Sequence, residues 1–62
     1  MEVINVTIDT FRNEIIGRTF LFEDDKSISI DTTNNIIDSD GLPTIPESRI
    51  RKIKEQFNID IK

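Results

Sequence analysis

Carboxylates are the side chains of this sequence most able to take part in catalysis or metal binding, and half of them fall between residues 22 and 40. This stretch reads FEDDKSISIDTTNNIIDSD, and against the single base Lys26 it sets six acids: Glu23, Asp24, Asp25, Asp31, Asp38 and Asp40. Paired carboxylates can catalyse proton transfer where their surroundings separate their pKa values, and acid clusters can bind calcium. The run from residue 38 to residue 41 has the spacing of the first calcium ligands, but residues 42–45 supply no further carboxylate. We therefore expect solvated turn residues here rather than a catalytic pair or a metal site.

The rest of the composition removes most catalytic chemistry. Histidine and cysteine are both absent, which excludes the commonest general base, the thiol nucleophile and the commonest metal ligands. Gly17 and Gly41 stand alone, so there is no glycine-rich phosphate loop. No serine lies in the strand–turn–helix setting of a nucleophile elbow. The sequence predicts a protein that is not an enzyme and that uses no cofactor.

The net charge of −4 is unevenly distributed along the chain. Residues 1–20 carry a net charge of −1, residues 21–45 carry −5, and residues 46–62 carry +2. Charges on exposed turns and edge strands keep small sheets soluble and discourage their aggregation, which is one interpretation of the acidic middle. The other interpretation is a surface complementary to a basic partner, because opposite charge raises association rates and selects partners.

A second candidate surface lies in the basic C-terminal region. Four cations are close together there and could contact nucleic-acid phosphates: Arg49, Arg51, Lys52 and Lys54. They could instead form a solvated helix face, with Arg51 spaced to pair with Glu47 and Glu55 at i,i+4. The acidic balance of the whole chain opposes strong DNA binding.

Alternating hydrophobicity predicts a first strand and a turn. Residues 2–9 alternate, and the side chains predicted to face inward are Ile4, Val6 and Ile8. Residues 10–13 interrupt the alternation and predict a turn, with Phe11 directed inward.

Further strands are predicted at residues 15–22, at residues 27–31 and, shorter, from Ile36. The predicted inward residues are Ile16, Phe20, Phe22, Ile28 and Ile30. Gly17 indicates a bulge or a close backbone approach, and the asparagines of residues 32–35 suit a tight turn.

The clearest helix signal follows Thr44. Thr44 and Glu47 have capping-box spacing, and Pro46 is placed for the first helical turn. Ile50, Ile53 and Phe57 then form one apolar stripe, and the helix is predicted to end at Asn58. Ile59 and Ile61 alternate with polar residues, which indicates a short final strand.

These elements predict an α+β fold over residues 1–62 as a single domain, in which one C-terminal helix packs on a small antiparallel β-sheet of three to four strands. Chains of this size bury little core, and oligomerisation is a common remedy, so we expect a homodimer as one way of stabilising this chain. No apolar run is long enough to span a membrane, and we expect a cytoplasmic protein with no membrane partner.

In size, composition and its acidic segment FEDDKSISIDTTNNIIDSD, the chain resembles the small early proteins with which bacteriophages disable host machinery. Some of these are DNA mimics, and some inhibit nucleoid proteins of the HU type. The resemblance implies a host-takeover inhibitor that acts in the host cytoplasm on a basic, DNA-binding host protein. The six acids of residues 22–40 would be the partner-binding residues, in place of DNA phosphates. A phage structural or adaptor subunit, acidic only for solubility, is an alternative.

A local segment is similar to another family. DGLPTIPESRIRKI, residues 40–53, resembles the G-x-[VI]-x-IP-x-x-x-R segment of swapped-hairpin transition-state regulators, on Gly41, Ile45, Pro46 and Ile53. Leu42 stands where that family usually has arginine. This resemblance implies the alternative of a dimeric DNA-binding regulator that uses the basic helix.

Overall fold

Four β-strands and one α-helix form the chain, in the order that the hydrophobic periodicity predicts. The computed structural model describes all residues from Met1 to Lys62. The elements are β1 (Val3–Phe11), β2 (Glu14–Phe22), β3 (Ser27–Asp31), β4 (Ile36–Asp38) and α1 (Glu47–Phe57). Each strand pairs antiparallel with the one before it, in the order β1-β2-β3-β4. The predicted α+β fold with an antiparallel sheet and one C-terminal helix is confirmed.

The β1–β2 hairpin is much longer than the rest of the sheet. Its turn is made by Arg12 and Asn13, whose φ angles of 51° and 68° match the positive values that a type I′ turn requires. β1 and β2 have nine residues each, whereas β3 has five and β4 three. Because β3 pairs only with Gly17–Leu21 of β2, residues 14–16 and their β1 partners extend beyond the sheet. We give the name hairpin overhang to residues 8–16, which are this projecting part together with the adjoining residues Ile8 and Asp9. These two still lie opposite Arg18 and Gly17, which pair with β3.

The core lies between the helix and the other end of the sheet. Its fully buried side chains are Phe20, Phe22, Ile28, Ile30 and Ile53, and Val3 and Ile59 complete it. All five fully buried residues were predicted to face inward. Phe57 lies at the margin, with its ring centroid 5.4 Å from that of Phe20. Ile50 of the same stripe is half-buried.

The predicted inward face of β1 is largely wrong. Val3 is buried and Val6 packs against the core, but Ile4 and Ile8 are 59% and 50% exposed. A register shift between Val3 and Asn5 inserts Ile4 as an extra residue, and this brings Val3 to the core face. Ile8 stays exposed because it lies in the hairpin overhang, past the reach of the helix.

Two more residues predicted to face inward are exposed at the same end. Phe11 is 61% exposed, and Ile16 is 45% exposed beside a second register shift, where Asp9 pairs with Gly17 and Thr10 with Ile15. Gly17 itself confirms the predicted close approach. A Cβ atom there would lie 2.1 Å from the carbonyl oxygen of Ile30 on β3, so only glycine lets the two strands pair at this point.

The helix differs from the prediction at its start and agrees with it at its end. Thr44 forms no capping bond, and Pro46, with an extended ψ of 137°, precedes the first turn as the N-cap residue instead of lying within it. The predicted capping box is therefore wrong, because Thr44 lies too far outside a helix that begins at Glu47. At the other end Asn58 adopts a left-handed φ of 57° and donates its N–H to the carbonyl of Lys54, which confirms the predicted helix end.

The segment after the helix does not form the predicted strand. Ile59 is buried in the core, and the N–H of Lys62 bonds to the carbonyl of Asn34 in the β3–β4 turn. A single bond to a turn does not make a ladder, although the alternation of Ile59 and Ile61 correctly marked their inward faces. α1 is too short and too polar to cross a membrane, and no other helix is present.

Candidate acidic binding surface

Five of the six acids from residues 22–40 lie at one end of the sheet. The turn from β2 to β3 carries Glu23, Asp24 and Asp25, Asp38 is the last residue of β4, and Asp40 lies in the loop that follows. The two segments meet because the N–H of Ser27 donates to the carbonyl of Asp40 at 3.2 Å. We call these five residues the acidic end. No three of the acidic side chains converge closely enough to hold a metal ion.

The β2–β3 turn presents its acids because its backbone satisfies itself. Phe22 donates its N–H to the carbonyl of Lys26 at 2.9 Å and accepts the N–H of Asp25 at 3.1 Å. Asp25 has a φ of 66°, a conformation that aspartate tolerates better than most residues. The turn therefore needs no carboxylate of Asp25 for its closure, and this side chain remains available to a partner.

Asp24 has a structural task. Arg49 of the helix donates to its two carboxylate oxygens from Nη1 and Nη2, and Nη1 lies 3.0 Å from Oδ1. The Arg49 hydrogen bond holds the pKa of Asp24 well below its usual range, and Asp24 in turn raises the pKa of Arg49. The guanidinium also lies over the ring of Phe22, 4.8 Å from its centroid. Asp24 thus ties the first turn of the helix to the sheet, and its carboxylate is not free to bind a partner.

Asp31 stands apart from the other five acids. It lies at the far end of β3, where one carboxylate oxygen accepts the N–H groups of Thr33 and Asn35 and the hydroxyl of Thr33. These bonds, above all the one from the backbone of Asn35, lower the pKa of Asp31. They also hold the β3–β4 turn, in which Asn34 has a positive φ of 67°. The sequence grouped Asp31 with the others because they are close along the chain, and the strand between them separates it.

Four carboxylates of the acidic end take part in no ion pair: Glu23, Asp25, Asp38 and Asp40. All four residues are exposed. Glu23 accepts the N–H of Glu2 at 2.8 Å, and Asp38 accepts the N–H of Ser39 at 2.9 Å, so these two are oriented by the backbone while still facing water. They form a local excess of negative charge on turns that the sheet holds in place.

The basic helix is mostly neutralised by its own chain. Lys52 pairs with Glu2 at 2.8 Å and with Glu55 at 3.8 Å, and Lys54 pairs with Asp60. The contact with Glu2 raises the pKa of Lys52 and lowers that of Glu2. The predicted i,i+4 pairs of Arg51 with Glu47 and Glu55 do not form. Arg51 is the one cation of the predicted set that has no carboxylate partner.

The hairpin overhang is a second surface, which the sequence did not reveal. Ile8, Phe11 and Ile15 are at least half exposed there, and the guanidinium of Arg12 lies over the ring of Phe11, 5.1 Å from its centroid. A shallow pocket of about 300 Å³ opens beside it, lined by Ile8, Ile15, Gly17, Arg18, Asp31 and Thr32. The signal that could have found it is length, because two nine-residue strands must project beyond a partner of five.

Comparison with known proteins adds no relative to this description. No protein-family model, no curated protein and no solved structure was found to match the chain. The assignment of function therefore depends on the chemistry of the two surfaces.

Proposed function

We propose that this protein is a small, non-catalytic inhibitor whose acidic end occupies the DNA-binding surface of a basic host protein, for example a nucleoid protein of the HU type. The observation that carries the proposal is the set of four exposed carboxylates without cation partners, on two segments that the Ser27–Asp40 hydrogen bond joins. The partner-binding residues are Glu23, Asp25, Asp38 and Asp40. The cytoplasm of the host is the compartment in which such a partner is found.

The mechanism is electrostatic substitution. A DNA-binding groove is lined with cations that expect phosphate oxygens, and duplex DNA offers one charge per about 1.7 Å of helix axis. Carboxylates held on a folded surface present oxygens of the same charge to the same cations. Turns closed by their own backbone bonds lose little freedom when they bind, and this limits the entropic cost. Binding of this kind needs no nucleophile, no metal and no cofactor.

The distribution of ion pairs favours the acidic end over the basic helix as the functional surface. Arg49, Lys52 and Lys54 already contact carboxylates of their own chain, so phosphate binding would first have to break these contacts. The four free acids of the acidic end have no ion pair to break. The alternative of a DNA-binding regulator would rest mainly on Arg51.

A gel-shift competition tests the proposal. Labelled duplex is bound by an HU-type protein, and this chain is titrated in at near-physiological salt, with the chain and duplex alone as a parallel lane. We expect release of free duplex and no shift in the parallel lane. A shift of naked duplex by the chain would instead support the DNA-binding regulator.

Matched triple variants locate the surface. Glu23→Gln, Asp25→Asn and Asp40→Asn together should weaken the competition by at least tenfold, because charged contacts across an interface each contribute substantially. The control is Glu14→Gln, Glu47→Gln and Glu55→Gln, which changes the net charge from −4 to −1 just as the first triple does and leaves the Lys52–Glu2 and Lys54–Asp60 pairs in place. Equal losses in both triples would mean that only net charge matters, and the proposed surface would be wrong.

A further inference from the structure

We propose that the outer edge of β1 pairs antiparallel with β1 of a second copy of this chain, about a two-fold axis at Ile8. The two four-stranded sheets would then form one continuous sheet of eight strands. This proposal concerns the backbone edge of β1, a strand that carries none of the four free carboxylates of the acidic end, and it does not depend on the inhibitor function.

The direction of the backbone groups on β1 follows from two hydrogen bonds. Phe22 donates its N–H to Lys26, on the β3 side, whereas the next residue, Glu23, donates to Glu2, on the β1 side. The N–H and C=O groups of successive residues point alternately to the two sides of a strand. The backbone groups of the odd-numbered residues of β2, from Gly17 onward, therefore point to β1. Their register partners on β1 are Asn5, Thr7 and Asp9, so these residues use their backbone groups inside the sheet.

The residues between them point their N–H and C=O groups outward. These are Val6, Ile8 and Thr10, and no side chain or loop of the chain bonds to their backbone atoms. Unpaired backbone groups along a strand edge are a template for another strand. The outer edge of β1 therefore has three consecutive outward residues that are open to pairing.

At Val3, the outer edge of β1 already forms hydrogen bonds with a side chain of the helix. The side-chain amide of Gln56 accepts the N–H of Val3 at 2.9 Å and donates to its carbonyl at 3.3 Å. A donor and an acceptor placed side by side are what a neighbouring strand would offer. The helix thus closes the edge at one end, and nothing closes it from Val6 to Thr10.

The usual protection of an exposed edge is missing from β1. Natural edge strands carry lysines, prolines or inward-pointing charges, contain bulges, or are short. The extra residue of β1 is Ile4, which lies outside the stretch from Val6 to Thr10. β1 has nine residues and no proline or lysine, and its single charge, Asp9, accepts the hydroxyl of Thr19 at 2.7 Å across its own sheet. β4, at the other edge, has only three residues.

A two-fold axis at Ile8 gives hydrogen-bond partners to the backbone groups of all three outward residues. Ile8 then stands opposite Ile8 of the second copy, and Val6 stands opposite Thr10 in both directions, which closes about six hydrogen bonds. Centring the axis one residue away in either direction leaves one of the three without its partner. Ile8 is half exposed in the single chain and would be covered by its own counterpart.

The distribution of charge permits two copies to meet through β1 and disfavours contacts through the acidic segment. Residues 1–20 carry a net charge of −1, whereas residues 21–45 carry −5, so two copies repel each other least through β1. In the proposed register Asp9 stands opposite Thr7 of the second copy, and no like charges face each other directly.

Amide hydrogen exchange tests the proposal on the unmodified protein. In dilute solution the amides of Val6, Ile8 and Thr10 should exchange fast, and those of Thr7 and Asp9 slowly. In concentrated solution the first three should become protected, and sedimentation equilibrium should give twice the monomer mass of 7.2 kDa. A monomer mass and unchanged exchange at every concentration would overturn the proposal and leave the edge to a strand of a different protein.

Charged variants at the axis give a signature that only a symmetric contact produces. Ile8→Lys and Ile8→Glu should each be monomeric, because like charges would face each other, and mixing them should restore the dimer mass. The control is Ile37→Lys, which adds the same charge at an isoleucine of β4 that is 56% exposed, and it should stay dimeric. Far-UV circular dichroism checks that each variant is folded. A dimer of Ile8→Lys alone, or no recovery on mixing, would show that Ile8 does not lie on the axis.

Discussion

The two ends of the sheet differ in almost every physical property, although the same two strands run through both. At one end the helix covers β1 and β2, and Phe20, Phe22 and Val3 are buried. At the other end the same strands continue as the hairpin overhang, where Ile8 and Phe11 are exposed. The apolar residue types hardly change between the ends, because both carry isoleucine and phenylalanine. What changes is the presence of a covering element.

The two ends also separate stability from binding. The covered end fixes the fold through packing and through the Asp24–Arg49 pair, and its surface carries the acidic turns. The overhang contributes little packing and offers open backbone groups and apolar side chains. A small chain can in this way present two different surfaces on a single sheet, a charged one at the acidic end and one suited to strand pairing along the edge of β1 that leads to the overhang.

Removing one large side chain from each end should give the largest contrast. Phe20→Ala should lower the free energy of unfolding by about 3–5 kcal/mol, because it leaves a cavity under the helix. A chain of this length is stable by only about 3–9 kcal/mol, so most of the stability would be lost. Phe11→Ala should change it by less than about 0.5 kcal/mol. Urea titrations followed by circular dichroism in dilute solution measure both.

If Phe20→Ala is unfolded throughout, Phe20→Leu provides a folded comparison with a smaller cavity. Similar losses at Phe20 and Phe11 would mean that the overhang is part of the core after all. That result would also weaken the proposed dimer edge, because the exposed side chains would have a role within the single chain.

The sequence predicted the covered end well and the overhang poorly, for a physical reason. Alternation at period two identifies which side chains can face a core, and it found Phe20, Phe22, Ile28 and Ile30. It contains no information on where the helix stops covering the sheet, so Ile8 and Phe11 were placed inward as well. The extra residue at Ile4 then reversed the expected faces of Val3 and Ile4, since one inserted residue is enough to shift the alternation.

The acidic residues show the same limit. Their position in turns could be predicted, because aspartate bonds to nearby backbone amides and suits such positions. The sequence could not predict which of these acids remain free of an ion pair, because this depends on contacts between residues that are distant along the chain. Asp24 meets Arg49 across 25 positions of sequence, and Asp31 is carried to the opposite end by β3. Spacing alone gave no warning of either, and the predicted pairs of Arg51 within the helix did not form.

Acid should weaken the covered end through Asp24. Because Arg49 lowers the folded-state pKa of this carboxyl, the pair stabilises the fold fully above the unfolded pKa, about 3.9, and this contribution disappears as the pH falls toward the folded value. Asp24→Asn should therefore be less stable than the natural sequence at neutral pH, and the difference should shrink steadily below about pH 4. Urea midpoints measured along a pH series give the difference directly.

Asp40→Asn is the matched control for this series, since Asp40 lies at the same end and forms no ion pair. Its difference from the natural sequence should be small at every pH. If the Asp24→Asn difference stays constant into the acid range, the pair with Arg49 does not stabilise the fold through its charge.

The smallest effect is expected where the helix closes the edge of β1. Gln56→Ala removes both bonds to Val3 and should lower the free energy of unfolding by about 1 kcal/mol, the usual net value for hydrogen bonds that water can partly replace. Glu55→Ala, one position earlier in the helix, is the control, because it loses only the 3.8 Å contact to Lys52 and should have a smaller effect. The amide of Val3 should also exchange faster in the Gln56 variant, while that of Thr7 is unchanged in dilute solution. Slow exchange of the Val3 amide after the substitution would show that something other than the Gln56 side chain closes this edge. Val3 would then not be evidence that β1 accepts a donor and an acceptor placed side by side.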